Sequence, residues 1–456
     1  MNSLERLTRP IEGQHVFVPD LPDYDFLRHC VRCARCLPAC PTYQETLLEV
    51  QSPRGRLALV KAVEEGKLPI ARGVHEHLYH CMDCRMCNTV CPAFVPIGES
   101  ILAARAAFGE HMGHAWWRRL AFRHVLISAP RLGRALWPLR LYQRLGLARV
   151  VKPLLLALPG PLARLSAIEA LLPPLPSRPL HAALEVVTPA QGARKHRVGF
   201  FLGCMMSQLF AAESRATVDI LARAGCEVVT PRGQVCCGSP QDDQGDRTQL
   251  RRLARANIAL FEGAGALDAI VSDCAACSGT LKEYGELLDD EPEFAQRARA
   301  FSAKVKDIYE WYDETLPGAI GADHPDPLPV TIHDACHLAN AQGIRGPQRR
   351  LLERVKAIRV VEMEEPSACC GSAGIYNITH PEMADKRLER KLRHIAATGA
   401  SVVVTNGPGC LLQLRAAVRT RNLPLQIMHI SQLIVVVPYA CRCSSALRKG
   451  AEVGQR

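Results

Sequence analysis

Two runs of cysteine carry the first chemistry in this chain. Cys30, Cys33, Cys36 and Cys40 are followed by Pro41, and Cys81, Cys84, Cys87 and Cys91 by Pro92. Both runs read C-x2-C-x2-C-x3-C-P. Three thiolates two residues apart can wrap one face of a 4Fe–4S cubane. The fourth, set after a turn and held by proline, points to the other cluster. The spacing therefore predicts Cys30, Cys33, Cys36 and Cys91 on one cubane, and Cys81, Cys84, Cys87 and Cys40 on the other. A pair of zinc sites is the competing reading. Zinc favours paired C-x-x-C knuckles without a third cysteine at the same step.

A second cysteine pattern occupies residues 196 to 436 and repeats. Cys204 is followed by Cys236-Cys237-Gly238 and then by Cys274-x-x-Cys277. Shifting by 132 places Cys204 on Cys336. Shifting by 133 places the first Cys-Cys-Gly on Cys369-Cys370-Gly371, and Cys277 on Cys410. Gly407 then stands where the first copy has Cys274. The glycine of each CCG lets the backbone turn tightly under a metal centre. Thiolates at helix N-termini are favoured by the helix dipole, which suits ligand positions. The second set of candidate ligands is thus Cys204, Cys236, Cys237, Cys274 and Cys277, with Cys336, Cys369, Cys370 and Cys410 as its repeat.

These residues need elements to hold them. Between the first two runs, Ser52-Pro53 followed by Arg54 to Glu65 reads as a capped helix. Gly98 to Ala107 reads as another. In the repeats, Val198 to Leu202, Glu227 to Thr230 and Ala269 to Ser272 are short apolar runs typical of buried parallel strands. Ala216 to Arg223 and Arg251 to Glu262 are helical between them, a βαβ rhythm. The expected fold is α+β and multidomain. A two-cluster, ferredoxin-type helical domain spans 1–110, and a basic, proline-rich helical linker 111–195. A first α/β CCG module spans 196–322, a second 330–436, and a tail 437–456.

Composition narrows the class. The chain has 456 residues, 48% hydrophobic and 22% charged, which excludes wholesale disorder. Its N-terminal MNSLERLTRPIEGQ does not read as a secretory signal. With 20 cysteines, metal or redox use is expected rather than disulfides. The formal charge of +11 is concentrated between His111 and Lys195, where Glu169 and Glu185 are the acidic residues. Trp116, Trp117, Trp137 and Tyr142 share that zone with Arg118, Arg119, Arg123, Arg131, Arg134 and Arg140. This mixture suits a membrane-surface or partner-docking element better than nucleic-acid binding. A solvated linker over a helical layer is the plainer alternative. No apolar run there reaches the roughly 20 residues of a membrane span.

The strings CCGSAGIYNITHPEMA after residue 368, KEYG after Thr280-Leu281 and PRGR after the first run resemble the glycolate oxidase iron–sulfur subunit family. The helical insert between the ferredoxin runs resembles the iron–sulfur domain of succinate dehydrogenase-type subunits. The wider family includes the C subunit of anaerobic glycerol-3-phosphate dehydrogenase and heterodisulfide reductase subunits. In the latter, five-cysteine CCG motifs hold non-cubane 4Fe–4S clusters. The resemblance implies a subunit of an oxidoreductase complex oxidising glycolate to glyoxylate. Flavin-bearing partner subunits would oxidise the 2-hydroxy acid. This chain would pass electrons to a quinone or membrane acceptor, with no substrate site or catalytic residue of its own. It implies a cytoplasmic chain, or one peripheral on the inner face of the membrane. Two 4Fe–4S cubanes are expected, and the complete first module leaves open a third, non-cubane 4Fe–4S cluster. The second module could hold a cluster, zinc or nothing. A disulfide-reducing enzyme, a zinc scaffold, and a subunit for lactate or glycerol-3-phosphate oxidation are the alternatives.

Other residues read as structural. Cys226 opens a strand as a small buried hydrophobe, and Cys441-x-Cys443 is a tail feature. His333 and His337, flanking Cys336, could be spare ligands or proton donors, and the plainer reading is a solvated or core histidine. His75, His77 and His80 read as helix decoration. Gly263-x-Gly265 and Gly371 to Gly374 lack the strand–turn–helix context of a dinucleotide fingerprint.

Overall fold

The computed structural model describes residues 27–112, 116–147, 173–316, 318–321 and 323–440. Cys441 and Cys443 lie outside them, as do residues 148–172 of the linker. The N-terminal body is helical, built on α1 (Pro53–Glu64), α2 (Arg72–Tyr79) and α3 (Ile97–Met112). The expected cap is present: Ser52 Oγ accepts the Gly55 N–H at 3.0 Å, and Pro53 opens the first turn. Leu57, Val60 and Val63 of α1 pack against Val74 and Leu78 of α2, and against Ile97, Ile101 and Phe108 of α3. The helices fill the gap between the two cysteine runs and hold them against one another.

The described residues of the linker pack against the first module. Short helices at Trp116–Leu120, Ala129–Ala135 and Trp137–Arg144 bracket a π-helical turn, Ala121–Val125. Leu132 enters the apolar interior that also holds Cys204, Cys236 and Cys237. Gln208 Nε2 donates to Ala129 O at 2.7 Å, and the Arg140 guanidinium donates to Gln208 Oε1 at 2.5 Å. Trp116, Trp117 and Trp137 remain exposed.

The C-terminal half holds two sheets. The first has β1 (Val187–Thr188), β2 (His196–Phe200), β3 (Cys226–Val229), β4 (Ala269–Ser272) and β5 (Val305–Asp307), in the order β1-β3-β2-β4-β5. The second has β6 (Leu328–Ile332), β7 (Ile358–Val360), β8 (Val402–Val404) and β9 (Gln426–Met428), in the order β7-β6-β8-β9. All pairings are parallel except that of β1, a short edge strand antiparallel to β3. The repeat is kept in register: Val198 pairs with Ala269, and Val330 with Val402. Valine-rich runs such as Val402–Val404 suit strands covered on both faces. Val198, Phe200 and Val271 share one apolar interior with Val330, Ile332 and Val404, so the two modules are fused through a common core.

This topology decides where chemistry can sit. In each sheet the chain runs outward in both directions from its first parallel strand. Such a switch point opens a crevice at the carboxyl ends of the strands. The segments following β2, β3 and β4 carry Cys204, Cys236-Cys237 and Cys274-x-x-Cys277. Those following β6, β7 and β8 carry Cys336, Cys369-Cys370 and Cys410.

Candidate metal centres

In the helical body the cysteines fall into two nests. One cavity is lined by Cys30, Cys33, Cys36 and Cys91, with Arg54 beside them. A second is lined by Cys40, Cys81, Cys84 and Cys87, with Arg56 and Arg85. Each nest thus draws its fourth cysteine from the other run. Left-handed turns at Arg32, Ala34, Asp83 and Arg85 (φ between 46 and 69°) separate successive cysteines. They bend the loops around the cavities. Amides aim at sulfur: Asp83 N–H donates to Cys81 Sγ at 3.4 Å, and Val95 N–H to Cys91 Sγ at 3.4 Å. Burial pushes the Cys36 thiol up to about 11 and those of Cys84 and Cys87 well above their usual value. Thiolates crowded into such a place need a cationic centre among them. The donor sets therefore fit cubane clusters. Cys33 is exposed, and Val31 and Phe94 beside that nest stand 70% and 88% exposed.

The nest of the first module is buried throughout. Cys204 opens α4 (Cys204–Leu209), with its Sγ 3.8 Å from Cys236 Sγ. Cys274 caps α5 (Ala275–Lys282), its Sγ accepting the Cys277 N–H at 3.3 Å. Gly238 has φ +97° and sends its N–H to Cys236 Sγ at 3.5 Å. This is the tight turn that the CCG spacing calls for. Around it, Tyr284 Oη donates to Cys237 O at 2.6 Å, and Asn257 Nδ2 to Cys236 O at 3.1 Å. The linker contributes too, since Ile127 O accepts the Cys236 N–H at 2.8 Å. Cys236 and Cys277 beside it favour the thiolate of Cys237. Cys226 lies apart, fully buried at the start of β3 in the interior shared by both sheets.

The second module repeats the nest with different donors. Gly371 has φ +94°, and its N–H donates to Cys369 Sγ at 3.4 Å. Cys336 and Cys370 hold the Cys369 thiol well below its ordinary value, and Cys370 does the same for Cys410 in α6 (Pro408–Arg421). Gly407 occupies the Cys274 place. A Cβ there would lie 3.0 Å from Cys410 Sγ and 3.1 Å from the Ala335 Cβ.

Not every histidine keeps its sequence reading. His333 is 1% exposed, and neither ring nitrogen has a nitrogen or oxygen partner. A ligand atom of His333, with Cys370 Sγ and Cys410 Sγ, forms a group lying within 4.8 Å of one another. It is a core histidine rather than a solvated one. The signal was present in the repeat: shifting by 132 places His333 on Phe201. His337 Nε2 lies 3.2 Å from Asp83 Oδ2, tying the second module to the helical body. His77 and His80 are not helix decoration either. His77 Nδ1 shares a hydrogen bond with Gln51 Nε2 at 3.0 Å, and His80 packs edge-on against His380.

The nests are contiguous. Cys84 and Cys369 belong to one small apolar cluster with Met82 and Tyr376, and Cys336 packs against it. Asn340 Nδ2 donates to Cys84 O at 3.0 Å. Between modules, Ala275 N–H donates to Asn406 O at 3.3 Å, and Gln342 Nε2 reaches Ala275 O at 2.9 Å and Ser278 Oγ at 3.0 Å. Buried Arg105 pairs with Asp243 at 2.7 Å and also donates to the carbonyls of Leu78 and Cys81. Buried Arg387 donates to Gln44 at 2.7 Å and to Glu45 at 3.2 Å.

Comparison with known proteins follows the same divisions. Residues 26–95 match the 4Fe-4S dicluster domain, and residues 198–282 and 330–415 the CCG cysteine-rich domain. Residues 113–172 match the linker region of the glycolate oxidase iron-sulfur subunit. The chain is 37% identical to the probable glycolate oxidase iron-sulfur subunit of Bacillus subtilis (strain 168), over 90% of this chain and 93% of that one. It belongs to the glycolate oxidase iron–sulfur subunit family. The Escherichia coli (strain K12) glycolate oxidase iron-sulfur subunit is 30% identical over 86% of this chain and 91% of its own. Lactate utilization protein A of Oceanobacillus iheyensis is 29% identical, over 96% of its length but 52% of this chain. Family membership agrees with the α+β architecture of ferredoxin-type domain, linker and two CCG repeats. No helix among the described residues is long and apolar enough to cross a membrane.

Proposed function

We propose that this chain is the electron-carrying subunit of a glycolate-oxidising complex. A flavin-bearing partner removes electrons from glycolate, and this chain passes them to a quinone or another membrane acceptor. The observation that carries the reading is the contiguity of the buried nests, with Cys84 and Cys369 in one apolar cluster. When bound, iron–sulfur clusters supply one-electron carriers at each nest: two cubanes in the helical body and one cluster in each module. The protein's part is to hold thiolates in register, exclude water and bring the nests together. The contacts suggest the order first module, second module, the Cys84 nest, then the Cys33 nest, whose exposed rim offers the outer exchange surface. Glycolate is favoured over lactate because relatives named for glycolate oxidase match nearly the whole chain, whereas those named for lactate utilization match about half. The burial of all five cysteines of the first module speaks against a disulfide-reducing site, which must admit its substrate. The arginines and exposed tryptophans of the linker suit peripheral contact with an anionic membrane surface.

The test begins with iron, acid-labile sulfide and zinc after strictly anaerobic purification. About 16 iron per chain and no zinc is expected. Adding the co-purifying flavoprotein and glycolate should bleach the cluster absorbance, and a quinone should restore it. Bleaching by a dithiol substrate but not by glycolate would overturn the reading in favour of a thiol–disulfide enzyme.

A further inference from the structure

We propose that His333 is a ligand of the metal centre in the second module, supplying the donor that Gly407 withholds. This rests on the reading above that the second module holds an iron–sulfur cluster. Three observations carry it. His333 is buried, and its ring nitrogens have no nitrogen or oxygen partner, the Cys410 thiol being the polar group beside them. A buried polar side chain left without a strong partner is costly and calls for one. It forms a close group with Cys370 and Cys410, two thiols at the mouth of the same crevice. Its backbone is held in place by the sheet, since His333 N–H donates to Val404 O at 3.0 Å, just beyond the end of β6.

The first module supplies the control. Phe201 N–H donates to Val271 O at 2.9 Å in the same way, just beyond β2. There the side chain is apolar, and Cys274 completes a set of five thiols. In the second module both positions change together. Glycine replaces the cysteine, and histidine replaces the phenylalanine. Each nest keeps five donors: five sulfurs in one, four sulfurs and an imidazole nitrogen in the other. Zinc closes its shell at four ligands, so five convergent donors suit a cluster better. A neutral imidazole in place of a thiolate removes one negative charge from the ligand set. Histidine ligation raises the potential of Rieske-type centres for this reason. The second module is therefore the more easily reduced of the two, which makes it an electron sink between the first module and the Cys84 nest.

The experiment uses the full chain, purified anaerobically, once unlabelled and once with 15N-histidine. Pulsed electron paramagnetic resonance should show a directly bound nitrogen whose coupling scales with the isotope. His333→Cys should abolish that coupling, keep iron and sulfide unchanged, and move one midpoint potential to a more negative value. His337→Gln should leave the coupling in place. If about 16 iron is present and no histidine coupling is seen, or the coupling survives His333→Cys, this assignment fails while the cluster reading stands. If about 12 iron is found, with the second module empty or holding zinc, the cluster reading for that module fails and takes the assignment with it.

Discussion

The two CCG modules have the same order of parallel strands, the same left-handed glycine and the same crevice, but their nests carry different charge. The first is lined by five thiols, with Phe201 at the crevice. Leu253 and Asn257 of the helix that covers it, Arg247–Glu262, lie over it. Gly238 faces Leu250 and Gly371 faces Ala384, and this register aligns Leu253 with Arg387 and Asn257 with Lys391. The second nest therefore has four thiols, an imidazole and two buried cations beside it. The cysteines pull toward the charged form of Lys391, but burial outweighs them and lowers its pKa to about 8. A duplicated fold fixes where ligands stand. The residues around them then set the charge that each nest carries, and a buried charge acts with little screening.

The sharpest way to break the comparison is at the shared turn. A Cβ on Gly371 would meet the Ala384 carbonyl oxygen at 2.3 Å, whereas one on Gly238 would meet the flexible end of Leu250 at 2.2 Å. Both glycines have positive φ. Gly371→Ala should cost at least about 3 kcal/mol and empty the second module of iron. Gly238→Ala should cost about 2 kcal/mol and retain most of it. Denaturant melts and iron analysis of the two variants decide between these outcomes, and equal effects would mean the modules yield alike.

Next come the ties to the helical body. Arg105 links it to the first module through Asp243, and Arg387 to the second through Glu45. Either arginine replaced by alanine strands a partly buried acid. Because Asp243 and Glu45 retain about a fifth or more of their exposure, the loss should be about 2 kcal/mol rather than the larger cost of a fully buried pair. Arg387→Ala should slow electron transfer between the second module and the ferredoxin nests more than Arg105→Ala does, measured by freeze-quench of a single turnover.

A smaller effect is expected at the corresponding helix of the second module, Pro381–Ala397. Lys391→Asn copies the first module's residue and deletes hydrogen bonds to Glu365 O and Pro366 O. It should lower stability by about 1 kcal/mol and shift one midpoint potential negative in a redox titration. A potential that does not move would remove Lys391 from the contrast between modules. The smallest effect belongs to Cys226→Ala. That cysteine is buried outside both nests, so the variant should lose about 1 kcal/mol and no iron. Loss of iron would place it in a nest after all.

Much of this was written in local spacing. The cysteine runs, the CCG repeat, the Ser52-Pro53 cap and the apolar strands all follow from neighbours a few residues apart, where turn geometry and side-chain alternation act directly. The exchanged grouping of Cys91 and Cys40 was also readable, because proline after the fourth cysteine turns it away from its own run. The linker was harder. Its tryptophans and arginines drew attention, while the buried contacts that matter, Leu132 and the Ile127 carbonyl, look like ordinary residues in the sequence.

What the sequence alone determined is therefore the spacing of the candidate sulfur donors and the family the chain belongs to. Spacing of thiolates around a cluster is a short-range constraint that the chain must satisfy locally. What only the tertiary structure decided is which donors meet across elements. His333 and Cys410 are 77 positions apart and meet because β6 and β8 are parallel neighbours whose carboxyl ends open into one crevice. Cys84 reaches Cys369 only because the helical body and the second module pack together through an apolar cluster, the Asn340 bond to Cys84 O and buried Arg387. Such meetings depend on the long-range burial of surface, which no spacing along the chain encodes.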